Sequence, residues 1–158
     1  MKTNHVYLLL FFLSLISVTS QAQEIYFYSS SITQGKGTGA HVDEVKLTSE
    51  AGGMYNDAGG KTHFLPFTIT KNFDASSTEI MQFVASGKVV MEAEIRFYNG
   101  SSLVLSYLLR AVKINSYEQA SAEGCPSCPT VVETIQINYQ GLKVGSFSWN
   151  AATNSSTL

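Results

Sequence analysis

Residues 63–98 read HFLPFTITKNFDASSTEIMQFVASGKVVMEAEIRFY, in which two strand patterns flank one short helical pattern. Leu65, Phe67 and Ile69 alternate with polar or small neighbours, which is typical of a strand with one buried face. The alternation resumes in 89–97, where every second residue from Val89 to Phe97 is apolar. The residues between the two strands are predicted to form a helix, the one clear helix outside the first 22 residues.

The predicted helix has signals at both ends. Ser76 and Glu79 fit a capping box, in which the Ser76 hydroxyl accepts from the Glu79 amide and Glu79 reaches back. Asp74 is an alternative cap slightly earlier, and Gly87 suits the left-handed conformation that closes a helix. The face predicted to pack onto a sheet consists of Ile80, Phe83 and Val84.

The rest of the mature chain has a period of two almost everywhere, which indicates strands. Residues 29–40 and 51–61 are rich in glycine or small polar residues and are predicted as loops. Within 103–114 the apolar parity changes, because Leu109 and Val112 are an odd number of residues apart; this predicts a bulge or bend. We therefore expect a mainly β fold, a closed antiparallel two-sheet β-barrel with one short flanking α-helix.

The first 22 residues have the pattern of a secretory signal peptide. Lys2 is followed by an apolar run over 6–18, and Ser20 and Ala22 place small residues before a cleavage point. The predicted organisation is a signal peptide at 1–22 and a single domain at 23–158. We expect an exported protein, secreted or periplasmic, with no membrane span after cleavage.

Composition argues against nucleic acid as a partner. The chain has 10 Lys and Arg against 12 Asp and Glu, and the signal peptide removes one Lys. The basic residues also occur singly, whereas recognition of a phosphate backbone needs them clustered.

Cys125 and Cys128 are the two cysteines of the chain, in GCPSCP at 124–129. An exported chain meets oxidising conditions, so a local disulfide is the first interpretation. A redox-active pair is an alternative, but it favours a helix start and the following TVV is typical of a strand. A zinc site shared between subunits is a further alternative, since one pair supplies only two of four ligands.

No catalytic motif is present in the sequence. His41 and His63 are the histidines outside the signal peptide, and no serine or cysteine nucleophile lies in a known motif. Asn56 and Asp57 lack the spacing of an EF-hand and are interpreted as a solvated turn. We expect no enzyme activity, no cofactor and no resident metal.

Four phrases occur in a characteristic order along the chain. They are HVDEVKL at 41–47, FTITKNFDASS at 67–77, EIRFY at 94–98 and ETIQINY at 133–139. With Gly87 and the closing SWN at 148–150, they resemble the haemolysin-coregulated protein (Hcp) family, the tube subunits of type VI secretion systems.

The resemblance implies a β-barrel subunit that forms hexameric rings. In the family these rings stack into a tube that carries secreted effectors and is capped by a spike tip protein. The expected partners are therefore further copies of the chain, with a spike tip protein and effectors. The alternative is an exported Hcp-like module that recognises a glycan or a protein through aromatics such as Tyr26, Tyr28 and Tyr55.

Overall fold

The computed structural model describes residues 23–121 and 131–158, which form nine strands and one helix. In chain order the elements are β1 (Gln23–Tyr28), β2 (Glu44–Leu47), β3 (Ser49–Asn56), β4 (Thr62–Asn72), α1 (Ser77–Ser86), β5 (Val89–Asn99), β6 (Ser102–Ala120), β7 (Val132–Asn138), β8 (Gly141–Val144) and β9 (Phe147–Asn150). The predicted mainly β class is confirmed.

All described strand pairs are antiparallel and join the nine strands into one sheet. The order is β2-β1-β5-β6-β7-β4-β3, with β8 paired to β6 and β9 to β8. The 19-residue β6 is the central strand of the sheet, because it pairs with β5 along one edge and with β7 and β8 along the other.

The prediction of a closed two-sheet barrel is wrong. β2 and β3 lie at the two ends of the strand order and do not pair with each other. The chain leaves β2 after four residues, and Thr48 N donates to Thr70 O on β4 at 2.8 Å. A closed barrel needs a continuous ladder at this position, so the described sheet is open.

The core draws apolar side chains from each long strand around β6. Ile69, Ile95, Leu109 and Ile135, from β4, β5, β6 and β7, are each 0% exposed. α1 packs against β6, and its Ile80 is also fully buried. The predicted apolar helix face is confirmed, since Phe83 and Val84 are partly buried against the same core.

In both β5 and β6 the buried positions shift from odd to even numbers or back, close to the paired residues Val90 and Val112. In β6, Leu109 and Val112 are both buried, as the predicted parity change requires. The intervening Ala111 has a positive φ of 49°, a left-handed conformation that turns the strand. The β5 prediction is wrong at its start, because Val90 is buried there while Val89 and Met91 are exposed.

The helix begins without the predicted capping box. Ser76 already has a right-handed helical backbone and makes no side-chain cap bond. Its hydroxyl donates instead to Asp74 Oδ1 at 2.6 Å, and its amide donates to the same oxygen at 2.8 Å. Asp74 therefore accepts both hydrogen bonds from Ser76. Glu79 Oε1 lies 3.8 Å from Nζ of Lys36 in the β1–β2 loop. At the other end Gly87 has φ 62° and its amide bonds to Val84 O.

The segment 51–61, predicted as a loop, is mostly strand. β3 and β4 form a hairpin with a register shift between Ala51 and Gly53. A Cβ on Gly52 would lie 2.4 Å from a ring carbon of buried Phe67, so the bulge requires glycine. A glycine-rich composition therefore marks a close approach between strands here, not a loop.

Candidate assembly surfaces

Lys71 is the centre of a buried polar cluster where β4 meets α1. Its side chain is 0% exposed, and Nζ lies 2.7 Å from Oε2 of Glu133 on β7. The same Nζ lies 2.9 Å from Asp74 Oδ1 and donates to Ser77 Oγ at 3.1 Å. Because Lys71 and Glu133 are direct cross-strand partners, their side chains share one face of the sheet.

The cluster is closed by Tyr117 on β6. Its hydroxyl donates to Glu133 Oε1, and burial together with this bond raises the pKa of Tyr117. Lys71 also donates to the carbonyl of Asn72 at 2.9 Å. Each charged group in the cluster therefore has partners, and the phrase around Lys71 anchors the start of the helix.

A second cluster holds the long β1–β2 loop to the sheet. Ile32 and Thr33 of this loop are buried, and Thr33 Oγ1 donates to Asp43 O at 2.6 Å. At the end of the loop His41 Nδ1 lies 2.5 Å from Glu44 Oε2. Gly37 is required here, because a Cβ would lie 1.9 Å from the carbonyl oxygen of His41.

Arg96 on β5 connects this loop to the central sheet. Its guanidinium lies 2.5 Å from Glu44 Oε1 and pairs with both oxygens of Glu94, at 2.8 and 3.0 Å. Burial disfavours ionised Glu44, but bonds from Arg96, His41 and Tyr98 together hold its pKa below the usual value. The Arg96 guanidinium likewise lowers the pKa of Glu94.

Aromatic rings enclose the same cluster. The His41 ring stacks on Tyr26 with centroids 4.0 Å apart, and Tyr98 meets both rings edge-on. The Arg96 guanidinium lies 4.0 Å from the centroid of the Tyr28 ring. Tyr26 is 7% exposed and therefore belongs to the core, where a ligand cannot reach it. Of the three aromatics considered for ligand recognition, Tyr55 is the exposed one, at 52%.

A largely apolar recess separates the β3–β4 hairpin from the β8–β9 hairpin. We call it the hairpin recess; its volume is about 500 Å³. Phe67, Tyr107 and Tyr139 line it, together with Met54 and Phe147, which are 45% and 41% exposed. The chain end approaches the same hairpin, because Asn154 Oδ1 accepts from Thr62 N at 3.0 Å.

A second recess lies where β4 passes the bend of β5 and β6. We call it the bend recess; its volume is about 470 Å³, and Leu65, Val89 and Ala111 line it. Leu65 and Val89 are 48% and 57% exposed. Tyr139 lines both recesses, and the exposed Leu65 and Val89 give the bend recess an apolar rim of the kind that marks protein contacts.

His41 and His63, the two histidines among the described residues, lie in separate clusters. His63 lies on the β3–β4 hairpin, 2.9 Å from Asp57 and stacked on Tyr55, well apart in sequence from the His41 cluster. No group of three or more potential metal ligands occurs in 23–121 or 131–158. Within those ranges, no helix has the length and hydropathy needed to cross a membrane. Cys125 and Cys128 lie outside the described residues.

The helix anchored by Lys71 and the HVDEVKL segment at 41–47 both lie within one family match. A family model described as "Type VI secretion system effector, Hcp" matches residues 38–146, which include α1 and strands β2 to β8. The chain belongs to the Hcp family. The resemblance identified in the sequence is thereby confirmed.

Solved Hcp structures share the fold of this family member. Hcp1 from Salmonella typhimurium superposes with a TM-score of 0.75 at 14% identity, covering 86% of this chain and 99% of that one. A structure described as a type six secretion system protein gives 0.74 at 18% identity, covering 86% and 100%. Hcp3 from Pseudomonas aeruginosa, described as a secreted protein, gives 0.61 at 18%, covering 86% and 96%. A search of curated proteins found no match.

Sequence reasoning missed the buried Lys71–Glu133 pair, although a signal for it was present. Lys71 has the same parity as Phe67 and Ile69, and Glu133 has the same parity as Ile135. A charged residue at an inward position on each of two strands indicates a buried ion pair. The recesses had no such signal, because they depend on where two hairpins diverge.

Proposed function

We propose that this Hcp-family chain is a non-enzymatic structural subunit of a type VI secretion tube. In this proposal it self-assembles into hexameric rings, and the rings stack into a tube for effector delivery. The observation that carries the proposal is the family match over residues 38–146, which includes all of α1 and the strands that surround it.

Two features of the surface support self-assembly. The bend recess exposes two apolar side chains, Leu65 and Val89, each more than 40% accessible. The sheet is also open, so β2 and β3 each have one edge without a described strand partner. A ring needs a heterologous contact, in which one surface of each subunit meets a different surface of the next.

The proposed partners and location follow from the family and from the predicted signal peptide. A spike tip protein and secreted effectors are the proposed partners of the stacked rings. Residues 1–22 are proposed to be removed on export, which leaves every described element in place, since β1 begins at Gln23. The mature chain is then secreted or periplasmic.

Native mass spectrometry of the chain starting at Gln23 tests the assembly. We expect a hexamer as the dominant species at micromolar concentration, and a monomer at every concentration would contradict the proposal. Fractionation of cells that produce the full chain tests export, with the uncleaved precursor in the cytoplasm as the contradicting result.

The pair Cys125 and Cys128 is proposed to form a disulfide that stiffens its loop. Intact mass measured before and after reduction checks this directly, because reduction of one disulfide adds two hydrogens. No gain in mass on reduction would leave the pair as free thiols and contradict the assignment.

A further inference from the structure

Glu50 lies at the wall of the hairpin recess and has no partner for its carboxylate among the residues that the structure describes. It pairs in register with Ile69, a fully buried core residue. Direct cross-strand partners point to the same face, so the Glu50 side chain is directed inward and is only partly accessible. Among the described residues, no cation lies within ion-pair distance of Glu50 and no donor bonds to its carboxylate.

The electrostatic state of Glu50 reflects this position. Burial raises the pKa of Glu50 above its usual value. A carboxylate that is partly removed from water gains from any cation that can reach it, more than a fully solvated one does.

The rest of the recess suits the apolar body of a small ligand. Its volume of about 500 Å³ is within the range of about 300 to 1,000 Å³ that is usual for small-molecule sites. Phe67 and Tyr107 lie 5.7 Å apart, and Phe67 and Tyr139 lie 5.3 Å apart, measured between ring centroids. Aromatic faces also attract cations, which adds to the effect of the carboxylate.

We propose that the hairpin recess binds a small organic cation, with its apolar body against Phe67, Tyr107 and Tyr139 and its ammonium or guanidinium group at Glu50. The proposal does not rest on the tube function, since probe binding and ring formation are measured separately and either can fail without the other. An anionic ligand is disfavoured by the Glu50 charge, and a neutral one leaves that charge without a partner.

The test uses three probes with the same six-carbon chain: hexylamine, hexanol and hexanoate. Saturation-transfer NMR on the purified chain, in whatever assembly it forms, reports the dissociation constant of each. At pH 7.5 we expect hexylammonium to bind about three- to five-fold more tightly than hexanol, the range of a partly screened ion pair. Hexanoate is expected to bind more weakly than either. The preference for the amine should decline as the pH falls and Glu50 becomes protonated.

Two variants and one control make the assignment specific. Glu50→Gln should remove the preference for the amine while hexanol binding stays unchanged. Val144 also lines the hairpin recess, so Val144→Trp should fill the recess and weaken all three probes. Glu118→Gln, which removes an exposed carboxylate from β6, should behave like the parent chain. Equal binding of amine and alcohol, a preference that survives Glu50→Gln, or no binding at millimolar concentration would each overturn the proposal.

Discussion

At the scale of single residues, the fold depends on a polar contact inside an apolar sheet. Lys71 and Glu133 are both 0% exposed and meet at 2.7 Å between β4 and β7. Removing two charges from water is costly, so the pair stabilises the fold only while both members and their hydrogen bonds are present. The pair also fixes position, because Lys71 contacts Asp74 and Ser77 at the start of α1.

Breaking this pair should be strongly destabilising. Lys71→Met leaves the Glu133 carboxylate buried without its cation, which typically costs about 3–5 kcal/mol. Urea unfolding at pH 7 measures the loss. Lys113→Met, at an exposed position of β6, is the control and should change stability by less than about 0.5 kcal/mol.

The double variant Lys71→Met/Glu133→Leu separates the cost of a buried unpaired charge from the cost of changed side-chain packing. It removes both charges together, so most of the lost stability should return. A single variant that loses less than about 1 kcal/mol would mean that the pair is not buried as described.

At the scale of elements, the bend of β5 and β6 depends on the backbone of Ala111. Its φ of 49° is a conformation that glycine adopts freely and that β-branched residues avoid. The strain relieved by glycine is about 1–2 kcal/mol, and the added chain entropy of glycine offsets about 0.5–1 kcal/mol of it.

Ala111→Gly should therefore be neutral or stabilising, while Ala111→Val should destabilise by about 1–3 kcal/mol. Thermal unfolding of both variants measures the difference. Ala93→Gly in β5 is the control for an alanine in regular strand register, opposite Leu109, and should lower the melting temperature. If Ala111→Gly loses as much stability as Ala93→Gly, residue 111 is not in the left-handed conformation.

The β1–β2 loop should be sensitive to acid. The pKa values of Glu44 and Glu94 lie below the usual 4.5, so their contribution to stability is complete above that pH. It is lost as the pH falls through the lowered values, because protonation ends the contacts with Arg96.

Melting temperatures between pH 7 and pH 2.5 measure this dependence. We expect a plateau above about pH 4.5 and a steep fall below it. Glu94→Gln should lower the plateau and reduce the fall, whereas the exposed Glu118→Gln should change neither. An unchanged acid limb in Glu94→Gln would show that other carboxylates govern the transition.

The helix and most strands were predictable from the sequence, but whether the sheet closes into a barrel was not. Period-two patterns located β4 and β5, and the parity change in 103–114 marked the bend at Ala111. Closure depends on whether β2 reaches β3 or β4, a long-range pairing that alternation cannot specify. The predicted capping box is absent for a local reason, because Ser76 has a helical backbone and its hydroxyl and amide both donate to Asp74 Oδ1.

The recesses were not predictable for a similar reason. Gly52 lies in a glycine-rich segment whose composition predicts a loop, although the residue allows the Phe67 ring to approach the β3 backbone. Glu50 then becomes an inward carboxylate only because β3 pairs with β4 in this register.

At the scale of the whole molecule, the apolar surface around the bend recess is the proposed contact between subunits. Val89→Asp places a charge at a position that is 57% exposed, so the fold should survive while hexamers are lost. Val104→Asp, at a position that is 55% exposed in β6, is the matched control and should remain hexameric. Light scattering after gel filtration measures both, and a hexameric Val89→Asp would exclude this surface as the contact.

The most direct test of ring formation is negative-stain electron microscopy of the chain starting at Gln23. Six-fold ring-shaped class averages with a central opening are the expected result. Particles without rotational symmetry, or a field without rings at concentrations where the protein is soluble and folded, would contradict a tube subunit.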